Sequence, residues 1–379
     1  MKRNLTIILF LFCSCLKVHL NPFDTTTSQG LLLYEIMGSQ TRYLAVGANC
    51  ASWVSPDGVS WDRPPNTAFP GCTFVPGGPS NGSLNGAIYF NGQFIVVGST
   101  SGSGGCGIWT SPDAYTWTQR TCDIIGGTPT ALFTLTIVGT EVIAGGSVNS
   151  SGDCSFQKSS GDLSKWTQVL HTACGSQSIA SMAVSGTTLL SSEFLNVMEP
   201  SPPTNLVPND AIFLSSNSGS TWVAGTAPTN MAFFNIIPGA NGRILAFGEV
   251  VTRTGGLSFS DTAGSTWNTP ATVAVSGATI SGGTVLGNTF VGVGGNCDLV
   301  MSMDNGQSFQ PFTTMGSGCS GVNWSPIVVN PITGVFVAAG NLGTPSTEVF
   351  AMSTSGLNGT WTITTLANTN YILGMTVRP

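Results

Sequence analysis

The stretch SMDNGQSF at Ser302–Phe309 decides the fold, because variants of it recur along the whole chain. Each variant follows the pattern S-x-D-x-G-x-(T/S)-(W/F), shortened in the early copies and with the acid displaced or lost in two late ones. The seven copies close on Trp61, Trp117, Trp166, Trp222, Trp267, Phe309 and Trp361. A spacing of roughly 40 to 55 residues is the period of four-stranded blades around a propeller axis. The sequence therefore predicts an all-β fold, a seven-bladed β-propeller of four-stranded antiparallel blades.

A short acid or amide occupies the centre of six copies. Such a side chain accepts hydrogen bonds from the backbone of its own hairpin, and glycine supplies the positive φ that the turn needs. The aromatic residue that closes each copy is expected to pack between neighbouring blades. We therefore predict turn-holding roles, rather than catalytic ones, for Asp57, Asp113, Asp162, Asn217, Asp261 and Asp304.

This pattern resembles the Asp-box, or BNR repeat, of sialidases and sortilin-like receptors, and the resemblance covers nearly all of the mature chain. In those families the boxes are structural. The resemblance also raises glycoside hydrolysis, which in sialidases needs an arginine cluster, a tyrosine nucleophile paired with a glutamate, and an acid catalyst. The Phe-Arg-Ile-Pro motif of that family is absent, and only Tyr34, beside Glu35, and Tyr371 are placed to face the channel. A sialidase-like hydrolase is the least favoured alternative.

Seven apolar runs, each ending in a small residue, precede the boxes and predict the second strand of every blade. They are Tyr43 to Gly47, Phe94 to Gly98, Val142 to Gly146, Thr188 to Ser192, Ile244 to Gly248, Phe290 to Gly294 and Phe336 to Gly340. Short β-prone stretches before them, beginning with Leu32 to Ile36, predict the innermost strands. Tyr371 to Val377 is left over after the seventh box. It either pairs in the first blade, which leaves no open edge at the seam, or starts a partial eighth blade.

The amino terminus resembles a bacterial lipoprotein export signal. Lys2 and Arg3 precede an apolar stretch that is too short to span a membrane, and Cys15 follows as the lipid acceptor. An ordinary cleaved secretory signal is the alternative, since Phe12 and Cys13 depart from the expected lipobox. The predicted organisation is a signal peptide at 1–15, a tether at 16–30 and a single propeller domain at 31–379.

The eight remaining cysteines flank four of the boxes in pairs. One cysteine of each pair comes just before the third strand and the other just after the fourth, where an antiparallel hairpin brings them side by side. We therefore predict four disulfides, Cys50–Cys72, Cys106–Cys122, Cys154–Cys174 and Cys297–Cys319. Metal binding is the rival interpretation, but the mature chain has no CxxC and no zinc spacing of histidines, so no metal site is predicted. Whether a turn binds calcium is left open.

Antiparallel blades give the ring two different faces. The boxes and the turns between first and second strands share one, here called the box face. The opposite face, here called the disulfide face, carries the cysteine pairs, the long insertions and the connections between blades. A local concentration of charge in blades four and five marks a possible ligand-binding site there, although solvated loop charges would look the same. These residues are Glu193, Glu199, Asp210, Glu249 and Arg253.

The charge balance limits the classes of partner that the chain is expected to bind. The net charge is −6, and loss of Lys2 and Arg3 with the leader lowers it to −8. No basic stripe is present to neutralise phosphates, which argues against a nucleic-acid partner. No cofactor motif is found. We predict a non-catalytic lipoprotein, exported and anchored to the bacterial outer membrane or cell surface, whose disulfide face binds a macromolecule or glycan in an adhesin-like manner. An envelope scaffold or assembly factor is the alternative.

Overall fold

A computed structural model gives the structure of the chain. It describes residues 42–75, 81–102, 104–124, 130–149, 152–171, 178–194, 212–226, 231–250, 255–269, 280–310, 313–316, 318–343, 347–366 and 370–379. The predicted signal peptide, the tether and the stretch Leu32 to Ile36 lie outside these residues. Within the described part, no helix has the length and apolar character that would be needed to cross a membrane.

The described residues form strands joined by turns, with three short 3-10 turns at Asn66–Ala68, Ala240–Gly242 and Gly295–Cys297. The strands are β1 (Tyr43–Gly47), β2 (Ser52–Ser55), β3 (Ser83–Phe90), β4 (Gln93–Ser99), β5 (Cys106–Ser111), β6 (Thr118–Gln119), β7 (Leu132–Val138), β8 (Glu141–Val148), β9 (Cys154–Ser159), β10 (Trp166–His171), β11 (Ser178–Ser185), β12 (Thr188–Phe194), β13 (Ile212–Ser215), β14 (Val223–Ala224), β15 (Met231–Pro238), β16 (Ile244–Val250), β17 (Gly255–Ser260), β18 (Ile280–Leu286), β19 (Thr289–Gly294), β20 (Asp298–Ser302), β21 (Thr313–Thr314), β22 (Val322–Val329), β23 (Phe336–Leu342), β24 (Thr347–Ser353), β25 (Thr362–Leu366) and β26 (Ile372–Val377).

Seven antiparallel sheets form the blades, and the predicted seven-bladed propeller is confirmed. From the axis outward they are β26-β1-β2, β3-β4-β5-β6, β7-β8-β9-β10, β11-β12-β13-β14, β15-β16-β17, β18-β19-β20-β21 and β22-β23-β24-β25. In blades one and five a single bridge, Val54 to Asp62 and Phe259 to Asn268, stands at the fourth position. Each predicted apolar run lies in the second strand of its blade. The innermost strands contact one another in a closed cycle from β26 through β3, β7, β11, β15, β18 and β22.

The last strand closes the ring. Strand β26 pairs with β1, and Tyr43 lies opposite Val377 while Ala45 lies opposite Met375. The alternative of a partial eighth blade is therefore wrong. Because β2 and β26 occupy both edges of β1, the inner position of blade one belongs to the C-terminal strand and not to residues 32–36, to which the sequence prediction assigned it.

The hydrophobic core is divided into seven clusters, one at each contact between neighbouring blades. The box aromatics enter these clusters, as predicted. Trp61 stacks on Phe350 of blade seven with ring centroids 3.9 Å apart, and Trp117 stacks on Phe69 at 4.4 Å. Large buried rings of this kind supply much of the contact area between blades.

Candidate functional site

The box turns use their own side chains to hold their own backbone. In the first box, Asp57 Oδ1 accepts hydrogen bonds from the N–H groups of Val59 at 2.8 Å and Ser60 at 2.7 Å. The Ser55 hydroxyl oxygen accepts the Gly58 N–H at 2.8 Å. Equivalent bonds recur at Asp113 in the second box, Asn217 in the fourth and Asp304 in the sixth. The acids are thus engaged locally, as short polar side chains at turns commonly are.

These hydrogen bonds favour the ionised carboxylates. Partial burial acts to raise the pKa of Asp57, Asp113 and Asp304, but the bonds from the hairpin outweigh it, so each pKa lies below its usual value. At the exposed Asp162, hydrogen bonds from Ser160 and Ser164 lower the pKa to about 2. Four of the turn acids are therefore charged at neutral pH.

The structure corrects one turn assignment. Asp261 does not hold the fifth turn, because the hydroxyl of Thr262 accepts the Thr266 N–H at 2.8 Å in that role. Asp261 instead receives two hydrogen bonds from Arg243, at 2.6 and 2.8 Å. Arg243 also donates to the carbonyl oxygen of Asn305 at 2.8 Å in the sixth box. Arg243, which the displaced acid holds, thus joins blade five to blade six on the box face.

The turn acids make the fold sensitive to acid. The pKa values of these carboxyl groups are lower in the folded chain than in the unfolded chain, so the ionised groups stabilise the fold fully when the pH is above the unfolded-state pKa, near 4. This stabilisation is lost as the pH falls toward about 2. We expect the free energy of unfolding to decrease over that window, with a shallower decrease in Asp304→Asn. The amide keeps the acceptor oxygen, as Asn217 does naturally, so stability at pH 7 should change by less than about 1 kcal/mol. Urea denaturation at pH 7 and within that acidic window measures both effects. An equally steep loss of stability with falling pH in Asp304→Asn and in the wild type would contradict the prediction.

Three of the predicted disulfides are present, on the disulfide face. They join Cys50 to Cys72, Cys106 to Cys122 and Cys297 to Cys319, with Cα atoms 6.0, 6.4 and 5.5 Å apart. Cys154 is also disulfide-bonded, while Cys174, its predicted partner, lies outside the described residues. Disulfides of this kind are typical of an oxidising, extracytoplasmic environment.

Of the charged candidates of blades four and five, only Glu193 has a side chain that the structure describes. Glu193 is only 2% exposed, and its Oε1 lies 3.5 Å from Cys154 Sγ in the neighbouring blade. Its burial corrects the prediction that it meets a ligand on the surface. Glu249 lies in β16, but its side chain is outside what the structure describes, as are Glu199, Asp210 and Arg253 altogether.

An axial channel with a volume of about 390 Å³ takes its lining from all seven blades. Its lining comes mainly from the first halves of the inner strands, which begin at the disulfide face. A β-bulge interrupts the register of each inner strand near this end, at or beside Asn85, Phe133, Ala180, Phe234, Ser281, Ser325 and Leu373. Bulges commonly re-aim side chains, and six of these seven residues line the channel.

The channel wall is polar but uncharged. Among the described residues that line it, none has an ionisable side chain. Amides and hydroxyls link neighbouring blades there: Asn85 Nδ2 donates to the carbonyl oxygen of Leu132 at 2.8 Å, and Ser181 Oγ donates to Asn235 Oδ1 at 2.9 Å. One stretch of the wall is apolar and open to solvent, since Leu373, which lines the channel, is 41% exposed. The wall thus combines hydrogen-bonding groups with an exposed apolar edge.

A network of amides surrounds one buried carboxylate at the ring closure. Glu348, on β24, is fully buried, and its Oε2 accepts the Trp53 indole N–H at 2.8 Å. Its Oε1 accepts the Asn370 N–H at 3.2 Å. Asn370 in turn accepts a hydrogen bond from Asn49 at 2.9 Å, and Asn49 accepts one from Asn81 at 2.9 Å. The network therefore fastens blade seven to blade one beside β26.

Sequence reasoning missed this network. The one signal was an acid next to an apolar run in the segment TEVFAM, which a surface strand would also produce. It also missed Asp298, at the start of β20 on the disulfide face. Burial raises the pKa of this carboxyl group to about 6.

Comparisons with known proteins support the fold. No protein-family model and no curated protein sequence matches the chain. A solved structure of YCF48 bound to a D1 peptide is similar, with a TM-score of 0.52, 14% identity and coverage of 80% of this chain and 89% of that one. A hypothetical selenium-binding protein from Sulfolobus tokodaii has a TM-score of 0.56 at 8% identity, covering 88% and 91%. A chain of the mitotic checkpoint complex has a TM-score of 0.52 at 9% identity, covering 77% and 82%. At such low identity the likeness shows the fold alone.

Proposed function

We propose that this chain is a non-catalytic binding protein, exported and lipid-anchored at a bacterial cell surface or envelope, that binds a segment of polypeptide over its disulfide face. The observation that carries the proposal is the mouth of the axial channel, where uncharged polar groups and an exposed apolar edge converge on one opening. Ligand sites commonly combine apolar walls with a few convergent polar groups.

The inner strands give this opening a capacity for backbone hydrogen bonds. Within the part of the chain that the structure describes, the terminal strands of the sheets at the axis are β3, β7, β11, β15, β18, β22 and β26, so one edge of each pairs with no described strand and faces the axis. Exposed strand edges pair readily with an extended peptide, whose main chain supplies the complementary groups. Leu373 offers apolar contact area to the side chains of such a peptide.

Two further points support a polypeptide ligand. YCF48, a propeller of similar architecture, has been solved with a D1 peptide bound, which provides a precedent for this fold as a peptide-binding scaffold. The neutral lining also favours binding over hydrolysis of a glycosidic bond, because that chemistry requires a pair of carboxyl groups or an equivalent acid and nucleophile. The disulfides stiffen the surrounding loops, which lowers the ordering cost of binding.

The test is a binding screen with the oxidised mature chain against arrayed envelope and extracellular peptides, with arrayed glycans alongside. Leu373→Glu places a charge at the channel mouth and is expected to weaken peptide binding by about tenfold or more, since an apolar contact becomes a desolvated charge. Ile332→Glu is the matched control, because Ile332 is 77% exposed on the box face. Binding to glycans alone, or loss of peptide binding only in the control, would overturn the proposal.

The anchor is tested separately. Full-length protein expressed in a bacterial host is expected to incorporate an alkyne-labelled palmitate, and Cys15→Ala is expected to abolish the label. Cys13→Ala is the control that removes the other cysteine of the leader and leaves the acceptor in place, so it is expected to keep the label. Label retained in Cys15→Ala would exclude this acceptor.

A further inference from the structure

A second concavity lies at the rim of the disulfide face, in blade two. It has a volume of about 410 Å³ and is bordered by Thr100 and Gly105 before β5 and by residues 119–122 and Ile124 at and after β6. The Cys106–Cys122 disulfide joins these two borders. Because a covalent bond holds the walls together, the cavity needs little ordering before a ligand enters.

Arg120 is the cationic residue that lines this cavity, and hydrogen bonds hold its main chain and its Nε in place. Its backbone N–H donates to the carbonyl oxygen of Ile108 at 2.8 Å, and its Nε donates to Thr110 Oγ1 at 2.9 Å. No carboxylate of the described residues forms an ion pair with it. The two terminal nitrogens of the guanidinium group thus have no carboxylate partner among the described residues, and they form the planar fork that suits a carboxylate.

Arg120 differs in this from the other described cations. Lys158 and Arg243 are paired with Glu141 and Asp261. Arg63 lies over the Trp53 ring, and Arg378 lies over Tyr89 and Phe94. Arg42 and Lys165 lie at turns of the box face. An unpaired guanidinium in a rigid concavity, in a chain with a net charge of −6, is thus specific to blade two within the described residues.

The rest of the wall indicates which kind of carboxylate fits. Thr100 and Thr121 provide hydroxyl groups, and Gln119 provides an amide that packs against Gly71, where a Cβ would come within 2.8 Å of Gln119 Nε2. Ile124, 43% exposed, and the disulfide form an apolar side. No aromatic ring of the described residues borders the cavity, although sugar rings commonly stack on such rings. An aliphatic stem that ends in a carboxylate matches this wall better than a sugar acid does.

We propose that this cavity, here called the Arg120 pocket, binds a carboxylate of the partner polypeptide, either a Glu or Asp side chain or a chain end. The proposal rests on the proposed function, in that the pocket and the channel mouth lie on the same face. The pocket requires a negative charge on the partner, and the neutral channel does not impose that requirement. A partner would insert an apolar segment at the axis and place an acidic group at the rim.

The test is a titration of the ¹⁵N-labelled oxidised mature chain, with the side-chain Nε–Hε signal of Arg120 as the readout. The probes are acetyl-Ala-Leu-Glu-Leu amide, the same peptide with Gln in place of Glu, and methyl glucuronide. We expect a saturable shift of this signal with the Glu peptide and at least about tenfold weaker binding of the Gln peptide. The signal is assigned by its absence in Arg120→Lys, which keeps the charge but lacks the fork.

Two variants complete the test. Arg120→Gln is expected to lose the affinity for the Glu peptide, as measured from backbone signals around the pocket, while Arg42→Gln, with the same change of charge on the box face, binds as the wild type does. Absence of saturation with the wild-type protein, or an equal shift with the Gln peptide, would overturn the pocket. Tighter binding of methyl glucuronide would overturn the assignment to a polypeptide.

Failure of the pocket and failure of the proposed function can be told apart. If an arrayed peptide with an acidic group binds Arg120→Gln and the wild-type protein with the same Kd, the pocket is excluded while peptide binding at the channel stands. If the Glu peptide saturates the pocket but no arrayed polypeptide binds, the pocket stands and the proposed function falls.

Discussion

Replacing Glu348 by alanine is expected to lower the free energy of unfolding by about 3 to 5 kcal/mol, because three buried donors would lose their acceptor and a cavity would open. The donors are the indole N–H of Trp53, which is itself fully buried, and the backbone N–H and side-chain amide of Asn370. Both residues belong to the closure between blades seven and one. The loss therefore acts where the two ends of the ring are joined, and it should also promote opening of β26.

Urea denaturation followed by tryptophan fluorescence measures this effect. Glu348→Gln is expected to lie between wild type and alanine, since the amide keeps one acceptor oxygen but turns its NH₂ group toward a donor. Glu141→Ala is the matched control, because Glu141 forms a partly exposed ion pair with Lys158 at 2.9 Å. Such pairs contribute about 0 to 1 kcal/mol. A loss below about 1 kcal/mol in Glu348→Ala would mean that the network does not hold the closure.

Adding a methyl group at Gly282 is expected to destabilise the propeller by at least about 2 kcal/mol. Gly282 follows the bulge of β18, and a Cβ there would collide with the carbonyl oxygen of Ser325 on the inner strand of the next blade. The atoms that this Cβ would meet belong to the backbone of Ser325 and not to a flexible side chain. The strands around the axis would have to move apart, which would disturb several blade contacts together.

Thermal unfolding of Gly282→Ala beside Gly161→Ala provides the measurement. At Gly161 an added Cβ would lie 3.5 Å from the carbonyl oxygen of Thr140, an ordinary van der Waals distance. The control should unfold close to the wild-type temperature, whereas Gly282→Ala should unfold several degrees lower. Equal unfolding temperatures in the two variants would show that the inner strands adjust without cost.

The sequence predicted the repeating unit more completely than it predicted the contacts between repeats. The spacing of the box aromatics and the apolar runs predicted the number of blades, and the flanking cysteines predicted the pairs Cys50–Cys72, Cys106–Cys122 and Cys297–Cys319. The displaced acid at Asp261 was assigned to its own turn, because the sequence does not show that Arg243 reaches it from another hairpin.

The candidate sites were less accessible to the sequence than the fold. Charge density directed attention to Glu193, which packs into the contact between two blades, and away from Arg120, an isolated cation in a sequence of polar residues. A guanidinium group becomes a site only when its surroundings leave it unpaired and enclosed. That condition depends on where Thr110 and the predicted Cys106–Cys122 disulfide lie around Arg120 in space, which the linear pattern does not show.

The sequence by itself determined the blades, because each is built from contacts within one hairpin or its neighbour: an acid that accepts N–H groups two to four residues away, or cysteines separated by 16 to 22 residues. Such contacts recur with the repeat and can be recognised one copy at a time. Only the tertiary structure decided how the ring closes and what it encloses. Trp53 and Glu348 are 295 residues apart in sequence, and the channel takes its lining from every blade. These contacts depend on the curvature of the whole ring, so no single repeat contains the information that specifies them.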